Sequence, residues 1–487
     1  MIDGLKPYPA MKDSGVPWLG EVPEHWEALP ALAAYRPRQV KNTRMIETTV
    51  LSLSYGRIIV KPPEKLRGLV PESFETYQVV DPGNIIVRTT DLQNDQTSLR
   101  IGHSQHRGII TSAYMCLETT PRVSNEFGYQ YLNAYDLLKI IYGFGSGLRQ
   151  NLDFNDIKRM PVLVPPLPEQ AAIVRFLDHA DRRIRRYIRA KQKLITLLEE
   201  QKQAIIHRAV TRGLDPNVRL KPSGVEWLGD VPEHWEATRL KNVATVQTGI
   251  TLGKGYRAAV TKRYPYLRVA NVQTGRVDLR AVKGIDVPEA DARRCMLRKG
   301  DVLMTEGGDI DKLGRGCVWD GQIADCLHQN HVFAVRCGPR LVPAFLVGLM
   351  ASGHGRSYFQ MTAKQTTNLA ATNSTTLRAF PLFLPTVEDQ ERILSSIAEG
   401  TRELEAAGGN AAREIALLRE YRTRLIADVV TGKLDVREAA LLLPDEEPLR
   451  AFASSREPAP LDEIDTEGDT DEAGVDDTGT VPEEAEA

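Results

Sequence analysis

The sequence predicts an α+β chain in which two mixed α/β domains are separated by two long helices that pair as an antiparallel coiled coil. Three observations lead there: an internal duplication, heptad-spaced apolar residues in two segments, and a sharp change of composition near residue 441.

The duplication sets the architecture. Ser14–Ala28 (SGVPWLGEVPEHWEA) and Ser223–Ala237 (SGVEWLGDVPEHWEA) agree at 13 of 15 positions, 209 residues apart. At an offset of 220, MPVLVPPLPEQAAI (Met160–Ile173) matches FPLFLPTVEDQERI (Phe380–Ile393), and AVTRGLD (ending at Asp215) matches VVTGKLD (ending at Asp435). A weaker echo relates DPGNIIVR (Asp81–Arg88) to RKGDVLMT (Arg298–Thr305), each a Gly-containing turn running into an apolar strand. The ends of the two units match and the middles diverge, the pattern of one scaffold carrying two different binding surfaces.

In chain order, residues 1–167 form a first domain with its Trp-containing motif at 14–28, and residues 168–215 a central long helix. Residues 216–385 form a second domain with its motif at 223–237, and residues 386–440 a distal long helix. Pro168 and Glu169 suit a first helical turn, Thr386 with Asp389 resembles a capping box, and Gly213 and Gly432 suit the stops. In the central helix, Ile173, Ala180, Tyr187 and Leu194 take one heptad position. Leu177, Ile184, Leu198 and Ile205 take the other, with Lys191 interrupting. In the distal helix Ile397, Leu404, Ala411, Leu418 and Leu425 recur every seven residues. Paired antiparallel, the helices make a rod with a domain at each end, roughly 60 Å long for about 40 residues at about 1.5 Å each.

The third observation is charge. Residues 441–487 hold 16 acidic and two basic residues, which leaves 60 basic and 48 acidic in residues 1–440. The body is therefore about +12, suited to a polyanion, and the tail about −14. So little apolar surface predicts a disordered tail, either merely solvating or a competitor of nucleic acid for the body. With 42% hydrophobic and 26% charged residues the chain reads as globular. No membrane span or signal peptide is seen, and five cysteines suggest no disulfide framework, so a reducing cytoplasm is expected.

Catalytic signatures are missing. There is no GxxxxGK[ST] loop, GFGSG (Gly143–Gly147) is not a dinucleotide fingerprint, and no Asn-Pro-Pro-aromatic motif occurs. Cys317, Cys326, His328, His331 and Cys337 are spaced like strand residues rather than zinc ligands. Asp301, Glu306, Asp309 and Asp311 read as turn carboxylates rather than a magnesium site, since the first unit has no equivalent.

The segments VPPLPEQAAIVRFLD and LPTVEDQERILSSI, with YLRVANVQTG, KGDVLMTEGGD, LGRGCVW, LHQNHVFAVR and GSGLRQNLDFNDIKRMPVLVPPLPEQ, resemble the specificity subunits of type I restriction–modification enzymes. The resemblance spans residues 14–436; Thr386, where a second Pro is usual, and the acidic tail depart from it. It implies two target-recognition domains joined by the family's conserved helices, reading a bipartite, asymmetric double-stranded DNA target without catalysis. It also implies two methylating subunits that carry S-adenosylmethionine and a motor-nuclease subunit using ATP and magnesium, with no cofactor on this chain. The rival readings are a coiled-coil scaffold without sequence readout and a nuclease with an unrecognised site. For DNA contacts, polar residues of loop-like stretches are the candidates. In the first unit these are Arg88, Gln93, Asn94, Arg149, Gln150 and Asn151. In the second they are Lys254, Arg268, Asn271, Gln273, Lys364, Gln365, Thr367 and Asn368. Arg and Lys suit guanine or phosphate, Asn and Gln suit adenine.

Overall fold

The computed structural model describes residues 5–62, 73–90, 92, 95, 98–144, 151–251, 260–308, 310, 313–365 and 370–444. The two units share a four-stranded sheet of the same strand order and differ in the smaller sheets around it. In the first, a four-stranded antiparallel sheet runs in the order Tyr35–Arg38, Met115–Thr119, Ile85–Val87, Ile101–His103. In the second, Ala244–Thr248, Val332–Cys337, Val302–Thr305 and Gly316–Val318 follow the same order. The weak echo lies on the turns that open the corresponding strands Ile85–Val87 and Val302–Thr305. Gly83 and Gly300 both take φ +92°, which glycine adopts without strain. The turn is closed by the Asn84 side chain on the Asp81 N–H (2.8 Å) and by the Asp301 carboxylate on the Arg298 N–H (2.8 Å).

The repeated ends do repeated work. Glu27–Pro30 pairs with Pro161–Val164 in the register in which Glu236–Arg239 pairs with Pro381–Leu384. Lys12 donates to the Trp26 carbonyl (2.7 Å) and Lys221 to that of Trp235 (2.8 Å). Both second tryptophans of the motif are buried, Trp26 at 0% and Trp235 at 2% exposure.

The central helix, Leu167–Arg212, and the distal helix, Val387–Val430, run antiparallel: Asp181 meets Arg422, Lys191 meets Glu414 (2.7 Å) and Lys202 meets Glu405 (2.8 Å). At about 1.5 Å per residue the rod is roughly 65 Å long. Thr386 caps the distal helix through the Asp389 N–H (3.2 Å) and Gly213 ends the central one. The first domain shares a core with the rod end holding Ile173, Leu177, Ile184, Leu425 and Val429. The second packs on Ala209, Val210 and Ile393 at the other end.

The distal helix ends ten residues before the expected boundary. Gly432 at φ +74° turns the chain onto Pro23 and Trp26, the Asp435 N–H reaches the Lys6 carbonyl (2.8 Å), and only then does a short helix, Arg437–Leu441, follow. The expected acidic tail lies outside the described residues beyond Pro444.

The heptad seam is uneven along the rod: Tyr187 and Leu194 on the central helix are 48% and 40% exposed, while Ala411 and Ile415 on the distal helix are buried. A groove of about 600 Å³, lined by Ala180, Ile184, Tyr187, Leu417, Leu418 and Tyr421, runs along it. Gly408 and Gly409 lie in the middle of the distal helix, and a Cβ at either would meet nothing within 4 Å. Glycine in a helix interior costs about 0.5–1 kcal/mol relative to alanine. Gly408→Ala and Gly409→Ala are therefore each expected to raise the denaturant midpoint by a stability increment of about that size.

Candidate nucleic-acid interface

Both domains place the ends of their loops at the same spot. The residues just after the strand Ile85–Val87 are Arg88, Thr89 and Thr90, and the Leu152 N–H donates to the Thr89 carbonyl (2.9 Å). At the corresponding point of the second domain the Thr372 N–H donates to the Glu306 carbonyl (2.8 Å). In each case the segment leading to the domain exit crosses the end of the strand. It is then capped the same way, by Asp153 on the Asn155 and Asp156 N–H groups and by Asn373 on the Thr376 N–H. Two loop stretches far apart in sequence thus form one rim per domain.

In the first domain the rim is built on Arg100, which is fully buried. Its guanidinium donates to the Thr90 carbonyl (2.7 Å), the Tyr142 hydroxyl (2.9 Å) and the Asp95 carbonyl, and lies 5.1 Å from the Tyr142 ring centre. Arg88, 34% exposed, pairs with Asp95 (3.2 Å), and Asn151 is exposed beside Leu152. The structure thereby brings together two of the expected contact residues, Arg88 and Asn151. Gln93, Asn94, Arg149 and Gln150 lie outside the described residues.

In the second domain the short strands Gly307–Gly308, Ala370–Ala371 and Lys364–Gln365 form a small sheet that lays Lys364 and Gln365 beside the strand end. His331 joins the same rim through Glu306 (Nδ1 to Oε2, 2.6 Å). The Gln329 N–H reaches the Leu267 carbonyl (2.9 Å) and the Asn330 N–H the Ile250 carbonyl (3.0 Å), so Gln329, Asn330 and Arg268 are neighbours there. Gly249 permits this approach, because a Cβ would overlap the His328 carbonyl oxygen. The Arg268 Nε is shut from solvent without a hydrogen-bond partner. Gln329, Asn330 and His331 were not among the expected contacts. Their signal was in LHQNHVFAVR, where three polar residues precede a continuous apolar strand.

Asn271 is corrected. It is 3% exposed, its amide donates to the Asp278 (2.8 Å) and Ala281 (3.3 Å) carbonyls, and its oxygen accepts from the Arg268 N–H (2.8 Å). With both ends of its amide engaged, it shapes the loop and has no edge to offer a base. Gln273 is exposed, its amide folded onto the Ala270 carbonyl (2.8 Å). Lys254, Thr367 and Asn368 lie outside the described residues.

The other clusters resolve into local roles. Asp301 is buried in a two-pronged pair with Arg336 (both 2.8 Å). Burial pushes the Cys317, Cys326 and Cys337 thiols up to about 12, away from the thiolate that a metal or a nucleophile requires. His328 is buried against the Val332 carbonyl (2.7 Å), and burial pushes its pKa down. Among the described residues no three His, Cys, Asp or Glu side chains are grouped to hold a metal, and no helix is long and apolar enough to cross a membrane.

Two glutamines that the motifs display join domain to rod. Gln170 accepts from the Ser124 N–H (2.8 Å) and donates to the Arg122 and Pro165 carbonyls (both 2.8 Å). Gln390 accepts from the Val342 N–H (2.9 Å) and donates to the Arg340 (2.9 Å) and Pro385 (3.1 Å) carbonyls. Ser124 and Val342 are the N-caps of the helices Asn125–Leu137 and Pro343–Ala351, so one side chain locks each domain helix to the start of each long helix.

Comparison with known proteins agrees with this plan. Residues 55–196 match the family model of the type I restriction modification DNA specificity domain. The chain is 21% identical over 262 residues to the type I restriction enzyme EcoKI specificity subunit of Escherichia coli, covering 52% of this chain and 54% of that one. It is 25% identical over 210 residues to the MjaVIII specificity subunit of Methanocaldococcus jannaschii, 42% of this chain and 44% of the other. The matches thus span about half the length of these curated relatives. A solved structure from a study of complex assembly and conformational transition of the type I R-M system superposes with a TM-score of 0.57 at 16% identity, over 85% of this chain and 99% of that one.

Proposed function

We propose that this chain, which belongs to the specificity subunits of type I restriction–modification enzymes, binds double-stranded DNA and reads a two-part target, one part with each domain, without chemistry of its own. The observation that carries the reading is the shared rim. Two domains with the same central sheet order, at opposite ends of the rod, each gather loop side chains at the same strand end, and those side chains differ. Shared geometry with different side chains suits two readers of different sequence. The rod sets the distance between them and hence the spacer, at about 3.4 Å per base pair.

Arg88 and Asn151 on one rim, and Arg268, Lys364 and Gln365 with Gln329, Asn330 and His331 on the other, are the proposed contacts. Gln93, Asn94, Arg149, Gln150, Lys254, Thr367 and Asn368, which lie outside the described residues, and Gln273 are proposed as further contacts from the sequence. Two methylating subunits carrying S-adenosylmethionine dock on the rod, where the open apolar groove offers the kind of exposed patch that marks a protein interface. A motor-nuclease subunit with ATP and magnesium joins them.

Methylation mapping of DNA exposed to the chain with its methylating partner tests the reading. A bipartite site should be modified by the complex and none by the chain alone; methyl transfer by the isolated chain would overturn it. Replacing residues 223–385 with the corresponding domain of another specificity subunit should change one half of the methylated site and leave the other. A change in both halves would count against independent readout.

The double substitution Lys364→Ala and Gln365→Ala is expected to weaken target binding by roughly 1–3 kcal/mol, about fivefold to 150-fold. The slope of affinity against salt should shrink by about one unit for the lost cation. Anisotropy titrations across a salt series read both, and unchanged affinity and slope would remove this strand from the interface.

A further inference from the structure

Arg175, Arg182, Arg186, Arg189 and Lys193 recur on the central helix at steps of seven, four, three and four residues. At about 100° per residue they fall within about 40° of a single line along the helix. That line is opposite the residues that meet the distal helix, such as Ile173, Ala180 and Ile184. Arg182, Arg186, Arg189 and Lys193 are exposed. Asp178 and Glu200 are the carboxylates on or beside this face, one near each end. The rod thus carries a basic stripe on its back, about 27 Å long from Arg175 to Lys193.

The described chain stops at the head of that stripe. The Arg175 guanidinium holds the carbonyls of Leu443 (2.8 Å) and Pro444 (3.3 Å), and the helix Arg437–Leu441 packs on the same central helix. The next residues are Asp445, Glu446 and Glu447, the first of 16 carboxylates against two arginines in residues 445–487. We propose that residues 445–487 dock in cis along the basic stripe, an internal polyanion that covers the back of the rod. Charge complementarity and the anchorage at Arg175 support it, and 43 residues reach far beyond the stripe at about 3.3–3.6 Å each. The attraction is between exposed charges, so it is screened by salt, with a Debye length of about 8 Å at 0.15 M.

Zero-length carbodiimide coupling on the full chain tests this. Arg182→Lys, Arg186→Lys and Arg189→Lys keep the charge and add amines beside Lys193. Peptide mapping at low salt should find the amide links of residues 445–487 concentrated at positions 182, 186, 189 and 193. These links should fall about fivefold or more at high salt, as screening requires. In otherwise wild-type chain, Lys193 should link to the tail, and Arg186→Glu with Arg189→Glu should abolish that link while circular dichroism stays unchanged. Links concentrated on domain lysines such as Lys61, Lys283 or Lys364, or none on the rod, would overturn the proposal. So would links between isotope-labelled and unlabelled copies, which place the tail on a second chain.

Discussion

Glu169→Ala is expected to destabilise the first unit by roughly 3–5 kcal/mol, because it removes the acceptor of a buried network. Glu169 is 6% exposed at the start of the central helix. Its Oε1 accepts from the Tyr8 hydroxyl (2.5 Å) and the Trp26 indole (3.0 Å), and its Oε2 meets the His25 Nε2 (2.8 Å). Trp26 is fully buried and Tyr8 4% exposed, so neither donor finds water when the carboxylate goes. Each stranded donor costs about 1–3 kcal/mol. Glu169→Gln keeps one acceptor oxygen and is expected to lose about half as much. Urea unfolding followed by tryptophan fluorescence checks both, and a midpoint unchanged in Glu169→Ala would refute the network's role.

Arg100→Ala is expected to cost a similar 3–5 kcal/mol, through stranded carbonyls and the space left by a large buried side chain. Its second consequence is functional. The guanidinium holds Thr90 and the Asp95 carbonyl, hence the loop that carries Arg88, while touching no solvent itself. The variant should lose recognition of the half-site read by the first domain and keep the other half. Arg100→Lys should not rescue it, since three acceptors met by three separate nitrogens of a planar fork are out of reach of a single compact ammonium nitrogen. Binding to duplexes with either half-site scrambled separates the outcomes, and equal loss at both halves would contradict the assignment.

Local signals located the long helices, their caps and the doubled domains, because heptads, Pro and Gly punctuation and a 13-of-15 repeat all act over short distances. What depended on distant partners was not legible. Gln170 and Gln390 stood in matching motifs, yet their partners Ser124 and Val342 lie 46 and 48 residues away. Asn271 has the chemistry of an adenine reader and is instead consumed by its own loop, which only burial decides. Tyr187 and Leu194 satisfy the heptad but stand exposed, 48% and 40%, while Ala411 and Ile415 on the opposing helix are buried, a difference that the spacing alone does not carry. The rim of the second domain joins five stretches between residues 250 and 372, around Ile250, Arg268, Glu306, Asn330 and Thr372, a closure that depends on distant pairing.

The junction of Lys6 with Asp435 has a wider meaning. By the offsets of 209 and 220 residues, both positions correspond to Asp215, where the chain passes without a break from the central helix into the second domain. The hydrogen bond from the Asp435 N–H to the Lys6 carbonyl therefore stands where a continuous backbone stands in the other half. Topologically the molecule is a ring opened at one of two equivalent places. A circular permutant, closed between these residues and cut near Asp215, would present the same two rims on the same rod. Which domain is translated first is then irrelevant to how the two halves of a target are arranged.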